Sequence, residues 1–379
     1  MTREEVNNLA LSKIDETKYL ILELITGYGK TKVAIDLINH ICDRVFKNNE
    51  SSTTILILVA KTVHKQTWKD EIEKWGGINS DCITIECYES FKNYENSYFD
   101  VVVADEMQHL SEARLKVLES IHINEAFIGL SATIKRDMRD YFIHNHKAEV
   151  IKCDLKEAVE DEVLPEPMVY LLPLTLDTTS YTYKVKKFSR DIITTQKGYY
   201  DSVSSLIEWY KNKYFNSRNK RIKNLWLSMA GKRLKWCAEQ KEALVLSLLD
   251  KFRNYKTLTF CSGIEQSKRL GKYNITSKNK ASVKNLEIFN SNKIKHITAC
   301  NILNEGVNLT NCRIGIFCNL NSSEIVVKQR VGRILRHKSP IIIIPYFKNT
   351  REEELVEKMT EEYNPELIHV VENVNDIKI

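Results

Sequence analysis

The feature that most constrains the fold is a series of short, almost fully apolar runs separated by stretches with helical spacing. YLILEL, TTILILVA, CITIEC, FDVVVADE and AFIGLSAT follow one another between residue 19 and about residue 155, and TKVAIDLINHICDRVF after the first of them repeats its apolar residues at helical intervals. A run with no polar side must be covered on both faces. Such runs alternating with helices imply a parallel sheet sandwiched between helical layers. A second series starts near residue 257 with TLTFCS, continues through HITAC and RIGIFCNL, and ends at PIIIIPYF. The sequence therefore predicts an α/β protein with two parallel-sheet domains, over 1–160 and 254–379, and its 379 residues are enough for both cores with length to spare.

The spare length lies between them, at 161–253. VLPEP at 163–167 holds two prolines, which break helices and suggest a linker, and an extended YLLPLTL follows. Val203, Leu206, Ile207, Tyr210 and Tyr214 then fall on one helical face, and Leu234, Cys237, Leu244, Val245 and Leu248 suggest a longer helix. Charge concentrates here. Residues 184–241 hold 15 Lys or Arg against four acids, a balance of +11 in a chain whose total is +6, so the remainder carries −5. A basic stretch in an otherwise acidic chain has the pattern of a polyanion-binding surface.

No apolar run reaches the roughly 20 residues needed to cross a bilayer, and MTREEVNN lacks the apolar core of a signal peptide. A cytoplasmic protein, of a bacterium or a phage-infected host, is expected. The nine cysteines are scattered without the close pairs of zinc sites or disulfide frameworks, and read as small buried hydrophobes.

Three stretches carry chemistry. TGYGKT, with Thr26, Gly27, Gly29, Lys30 and Thr31, follows an apolar strand and precedes a helix. A phosphate chain needs inward-pointing N–H groups above a helix N-terminus, and glycines let the loop approach; Lys30 would reach the β and γ phosphates and Thr31 would hold Mg²⁺. Leu24 stands where the longer pattern has its first glycine. FDVVVADEMQHL sets Asp105 and Glu106 at a strand end, where an α/β sheet presents its ligand-binding groups, and two adjacent carboxylates can divide the tasks of holding Mg²⁺ and polarising water. In QRVGRILR, Arg333 and Arg336 are spaced i, i+3 on one helical face, as an arginine finger for a γ-phosphate would require. Taken singly, each has an ordinary alternative: a Gly-rich turn, a solvated turn, a solvated basic helix.

In order along nearly the whole chain, these and neighbouring segments resemble the motifs of superfamily 2 helicases of the DEAD/DEAH-like kind. TGYGKT looks like motif I, VAKTVHKQTWKDEIEKW like the Ia region, CYES like the segment before motif II, DEMQH like motif II and SAT like motif III. TFCSGIEQSKRL resembles motif IV, ITACNILNEGVNL motif V and QRVGRILR motif VI. The Q-T-W-x-x-E run and the EGVNL form of motif V look most like the small phage and bacterial DNA helicases. The resemblance implies two RecA-like domains with ATP in the cleft between them. It makes Lys30 and Thr31 phosphate and Mg²⁺ ligands, Asp105 a Mg²⁺ ligand and Glu106 the base that orients water. Ser131 and Thr133 would couple hydrolysis to domain movement, with Gln108 beside them. Gly306 and Asn308 would touch the nucleotide, Gln329 would sit in the cleft, and Arg333 and Arg336 would complete the γ-phosphate site. Nucleic acid would pass Lys61, Ser90, Ser262 and Thr298.

The chain departs from the pattern at three points. No Gln precedes Gln66, so the adenine-reading glutamine upstream of motif I is missing; any substitute reader is sought near Lys18 and Tyr19. Gln108 replaces an Asp or His, which leaves open that position's contact to motif III. Asn308 replaces a commoner Asp and brings no charge.

The function expected is that of an ATP- and Mg²⁺-dependent helicase or translocase on DNA. An RNA helicase, or a nucleotide-gated nucleic-acid-binding switch without unwinding, is the alternative. The basic insertion is expected to clamp nucleic acid through Arg218, Lys220, Arg221, Lys223, Lys232 and Arg233, interleaved with Tyr199, Tyr200, Trp209, Tyr214, Phe215, Trp226 and Trp236. Aromatics at helical spacing also serve as core.

Overall fold

The computed structural model describes residues 1–49, 52–77, 80–187, 190–276, 278–300, 309–320, 330–332 and 334–379. Two compact units emerge. The first holds Met1–Glu166 and takes in residues of the later segment Lys328–Arg336; the second is built from the chain after Pro167.

In the first unit, α1 (Arg3–Glu16) opens with a capping box in which the Thr2 hydroxyl accepts the Glu5 N–H at 3.2 Å and the Glu5 carboxylate accepts the Thr2 N–H at 2.8 Å. There follow β1 (Tyr19–Leu24), α2 (Lys30–Asn49), β2 (Ile55–Val59), α3 (Thr62–Trp75), β3 (Ile83–Cys87), β4 (Tyr98–Asp105), α4 (Glu112–Ser120), β5 (His122–Ser131), α5 (Arg136–His146), β6 (Glu149–Cys153) and α6 (Leu155–Glu160). The strands form one parallel sheet in the order β3-β2-β4-β5-β1-β6. Every residue of β2 is buried, as are Leu20–Leu24 of β1, which is why these strands lack alternation and, apart from Glu23, are apolar. Because β4, β5 and β1 are neighbours, the chain leaving their C-terminal ends lies along one edge. Those exits carry motifs II, III and I.

The second unit comprises β7 (Met168–Leu174), β8 (Tyr183–Lys187), β9 (Arg190–Thr194), α7 (Gln196–Ser217), α8 (Lys220–Gln240), α9 (Glu242–Lys251), β10 (Thr257–Phe260), α10 (Ile264–Leu270), β11 (Asn274–Ile275), α11 (Ser282–Asn290), β12 (His296–Ala299), β13 (Ile314–Phe317), β14 (Ile341–Phe347), α12 (Arg351–Thr360) and β15 (Ile368–Val370). Its parallel sheet runs β11-β12-β10-β13-β14-β7-β15. The segment read from sequence as extended, YLLPLTL, thus supplies most of a strand inserted between β14 and β15 of the second sheet, although the sequence groups it with the insertion at 161–253. Its Pro173 is tolerated because the ladder with β15 ends at Leu171, two residues earlier.

The basic region forms two long antiparallel helices, α7 and α8, turning through Arg218 and Asn219, with the two-stranded antiparallel hairpin β8–β9 at their base. At 21 and 22 residues, the two helices each extend about 32 Å. Where α8 gives way to α9, Lys241 is fully buried. Its ammonium donates to Glu352 Oε1 at 2.7 Å and to the Pro345 carbonyl at 3.0 Å, tying the helices to β14 and α12.

Candidate active site

The phosphate loop is built as its sequence requires. Gly27 and Gly29 have φ of +95° and +111°, a region that side chains disfavour, and α2 begins at Lys30, so its N-terminal dipole points at whatever the loop holds. Thr26 Oγ1 is buried without a hydrogen-bond partner. Lys30 Nζ donates to the Leu24 carbonyl at 2.8 Å, which places the ammonium over the loop. These groups open into a cavity of about 630 Å³ shared with Asp105, Glu106 and Arg336.

Asp105 ends β4, and Glu106 follows with φ 51° and ψ 56°, a left-handed backbone rare for glutamate and of a kind that clusters at functional sites. Burial, then repulsion by Glu106, push the Asp105 carboxyl up to about 6 against the opposing pull of the Trp68 N–H and the Lys30 charge. A divalent cation would relieve that repulsion. Among the described residues no group of three or more His, Cys, Asp or Glu could cage a metal. A cation such as Mg²⁺ needs only one or two protein oxygens beside phosphates and water, and Asp105 and Thr31 both line the cavity.

The link that the Gln108 substitution left open is made. Gln108 Nε2 donates to Glu106 Oε2 at 2.8 Å, and the Ser131 hydroxyl donates to Gln108 Oε1 at 2.7 Å. An amide can do both because it carries a donor and an acceptor. Ser131 is fully buried and its oxygen also receives the Thr133 N–H at 3.2 Å, so motif III is tied through Gln108 to the carboxylate that would orient water.

Three contacts were not foreseen. Trp68, 1% exposed, donates its indole N–H to Asp105 Oδ2 at 2.9 Å; the Q-T-W run marked the residue but not its partner. The Tyr88 hydroxyl donates to the Asp105 carbonyl at 3.0 Å. The start of α1 is fastened to the phosphate loop: Arg3 Nε donates to the Tyr28 carbonyl at 3.0 Å, and the Tyr28 hydroxyl donates to the Met1 carbonyl at 2.7 Å. This brings Asn7 to the cavity wall, with its Oδ1 buried and unpartnered. Lys18 and Tyr19, where a base reader was sought, do not line the cavity, and Tyr19 stacks on His146 at 4.4 Å.

Arg336 lines the same cavity. Nearby, Gly332 packs on the loop so closely that a Cβ there would stand 2.5 Å from Thr26 Cβ. Gly306, Asn308, Gln329 and Arg333 lie outside the described residues.

The nucleic-acid positions divide. Lys61 is exposed immediately before α3, Ser90 is half-buried before the short turn Phe91–Tyr94, and Ser262 is half-buried with its hydroxyl bonded to Gln266 Oε1 at 2.9 Å. Thr298 is fully buried, which corrects its assignment as a contact: it lies in β12 with its hydroxyl 2.8 Å from that of Ser267 on α10. On α7 and α8, Arg218, Lys220, Arg221 and Lys223 cluster at the exposed tip and Lys232 is exposed. Arg233 instead packs between the helices, donating to Ser204 Oγ at 2.9 Å with its guanidinium over the Tyr200 ring. The aromatics divide too. Tyr199, Tyr200 and Trp236 are packing residues at the base, whereas Trp209 and Phe215 remain 52% and 48% exposed, and Tyr214, Phe215 and Trp226 form a ring cluster beside the tip.

A glycine-rich loop, a carboxylate pair and a buried serine at the ends of adjacent parallel strands make the layout of a RecA-like domain, here followed by a second parallel-sheet α/β domain. Residues 2–136 match the family model "Type III restriction enzyme, res subunit", and residues 239–338 match "Helicase conserved C-terminal domain". The chain belongs to the superfamily 2 helicases, a family of ATP-hydrolysing enzymes. It is similar to the DNA 3'-5' translocase XPB2 of Sulfurisphaera tokodaii, at 22% identity over 364 residues, covering 84% of this chain and 75% of that protein. Among solved structures, the Hef helicase domain of Pyrococcus furiosus matches with a TM-score of 0.54 at 14% identity, over 93% of this chain and 97% of that one. A fragment of a putative type I restriction enzyme HsdR subunit from Vibrio vulnificus matches at 0.60 and 19%, over 96% and 68%. Dbp5 of S. cerevisiae, bound to RNA and ADP BeF3, matches at 0.57 and 11%, over 93% and 85%. The structural matches show the fold; the narrower likeness to phage proteins finds no support in any of these relatives.

Proposed function

We propose that this chain uses ATP and Mg²⁺ to drive movement along DNA or its remodelling. The observation that carries the reading is the convergence on one cavity of the Gly27–Thr31 loop, the Asp105–Glu106 pair and Arg336. In this reading the loop N–H groups, Lys30 and the α2 dipole hold the phosphates, and Thr31 and Asp105 take the cation, which supplies charge neutralisation between phosphates. Glu106, held by Gln108, orients the attacking water, and Arg336 meets the charge that develops on the γ-phosphate. Hydrolysis at Glu106 is transmitted to Ser131 through the Gln108 amide. Adenine rather than guanine is favoured by Asn7. Its unpartnered Oδ1 can accept from the adenine amino group while Nδ2 donates to N7; the corresponding edge of guanine offers two acceptors, which would set Oδ1 against O6 and leave it without a donor. DNA is the preferred polymer because the curated relative is by its name a DNA translocase, and the exposed cations at the α7–α8 tip suit a phosphate backbone. The nine free cysteines suit a reducing cytoplasm, and among the described residues no helix is long and apolar enough to cross a membrane.

One set of measurements tests this. ATPase rates are compared without nucleic acid and with single-stranded DNA, duplex, fork and RNA, and ADP and GDP affinities are compared for wild type and Asn7→Ala. Stimulation by DNA, with an adenine preference that Asn7→Ala reduces, is expected. Stimulation by RNA alone would move the substrate to RNA, and an absence of turnover would leave a nucleotide-gated switch.

A further inference from the structure

Trp68 belongs to α3, not to the turn that carries Asp105 and Glu106, yet its indole N–H reaches the carboxylate assigned to the cation. We infer that Trp68 is a positioning residue for the divalent cation, holding Asp105 in its ligating rotamer through the 2.9 Å bond from indole N–H to Oδ2; the inference rests on Asp105 being the cation ligand.

Two physical features make this more than packing. An indole N–H is a donor only and carries no charge. It can orient a carboxylate without neutralising it, whereas a Lys or Arg in the same place would compete with the cation for the same negative charge. The ring is also packed in, at 1% exposure on a buried helix face that includes His64 and Ile72, so close packing restricts the rotamers open to the donor. From the other side, Tyr88 holds the Asp105 carbonyl at 3.0 Å, so the residue is gripped at both main chain and side chain. With Oδ2 engaged by the indole and the Glu106 backbone N–H also directed at the carboxylate, lone pairs still remain for the cation or its water, since a carboxylate offers about four acceptor positions. Partners that orient metal ligands in this way typically change metal affinity by about 10- to 100-fold when removed.

The test is binding, not turnover. ADP affinity is measured with and without Mg²⁺ for wild type, for Trp68→Phe, and for the protein carrying benzothienylalanine at position 68, which keeps the bicyclic shape with sulfur in place of the N–H. The expected result is a 10- to 100-fold rise in the Mg²⁺ concentration needed for half-maximal enhancement of ADP binding, with metal-free ADP affinity unchanged. An unchanged Mg²⁺ requirement in the benzothienylalanine protein would overturn the inference, as would an equal loss of metal-free ADP affinity, which is what a purely structural tryptophan predicts. If Mg²⁺ has no effect on ADP binding by wild type, the cation site itself is misassigned and both readings fall.

Discussion

The α7–α8 tip gives a prediction whose magnitude follows from its geometry. Arg218, Lys220, Arg221 and Lys223 are exposed, and none of them makes an ion pair among the described residues. Lower on the helices several cations are compensated: Lys197 is paired with Asp201 at 2.6 Å, Lys211 with Glu208 at 3.3 Å and Lys235 with Glu239 at 3.8 Å. The tip is therefore where uncompensated positive charge is densest, four cations within six residues. If each of its four cations meets one phosphate, removing them makes the slope of log K against log salt shallower by about 3 to 4 units, at roughly 0.7 to 0.9 per contact. Over a fourfold rise in salt, a difference of 3 units changes the affinity ratio by about 60-fold. Lys220, Lys223 and Arg221 can be replaced by Ala, a good helix former. Arg218 has φ 52° and is better replaced by Asn, which accepts the left-handed backbone. The assay is fluorescence anisotropy of labelled DNA at several salt concentrations, with ATPase measured at saturating DNA as a control expected to change little. An unchanged slope would refute the reasoning and assign the tip to a protein partner or to solvent.

Other outcomes follow from single sites. Lys30→Ala and Glu106→Gln should abolish turnover, the latter with ATP binding retained, and Arg336→Ala should slow hydrolysis by a factor on the order of 10³ with little effect on binding; steady-state rates beside nucleotide affinities check all three. Lys241→Ala would strand the buried Glu352 carboxylate and should destabilise the second unit by about 3 to 5 kcal/mol in urea unfolding, with a loss below about 1 kcal/mol counting against the account. Burial lowers the His296 pKa to about 4, so the folded unit favours the neutral ring; its contribution is complete above the unfolded value near 6.5 and is lost as pH falls from there towards 4. The loss amounts to about 3 kcal/mol, and His296→Gln should flatten that limb of the stability profile.

Both sheets were legible because their strands are buried on two faces and so read as unbroken apolar runs. The loop and the carboxylate pair were legible because phosphate and cation chemistry dictate residue types over a few consecutive positions. What escaped depends on residues distant in sequence. The extended segment of β7 was legible, but its place inside the second sheet was not, because its partners β14 and β15 lie far along the chain and Pro173 argues against a central strand until the short reach of β15 is known. Asn7 is an ordinary polar residue on a helix until Arg3 and Tyr28 moor that helix beside the loop. Gln108 read as a departure, although its amide supplies both halves of the bridge between Glu106 and Ser131. Thr298 was misplaced because a motif marks a neighbourhood, and only the fold decides that its hydroxyl turns to Ser267 rather than outward.

The position of β7 in the second sheet carries a consequence for how the protein is made. Met168–Leu174 leaves the ribosome early, but its partner β14 spans Ile341–Phe347 and β15 comes later still. Translation at about 5 to 20 residues per second separates the end of β7 from the start of β14 by roughly 8 to 33 s. During that interval the nascent strand has neither neighbour, while α7 and α8 can already fold on each other through contacts local in sequence. The basic hairpin is thus the part of the second domain able to form first, and the sheet beneath it must wait for nearly the whole chain.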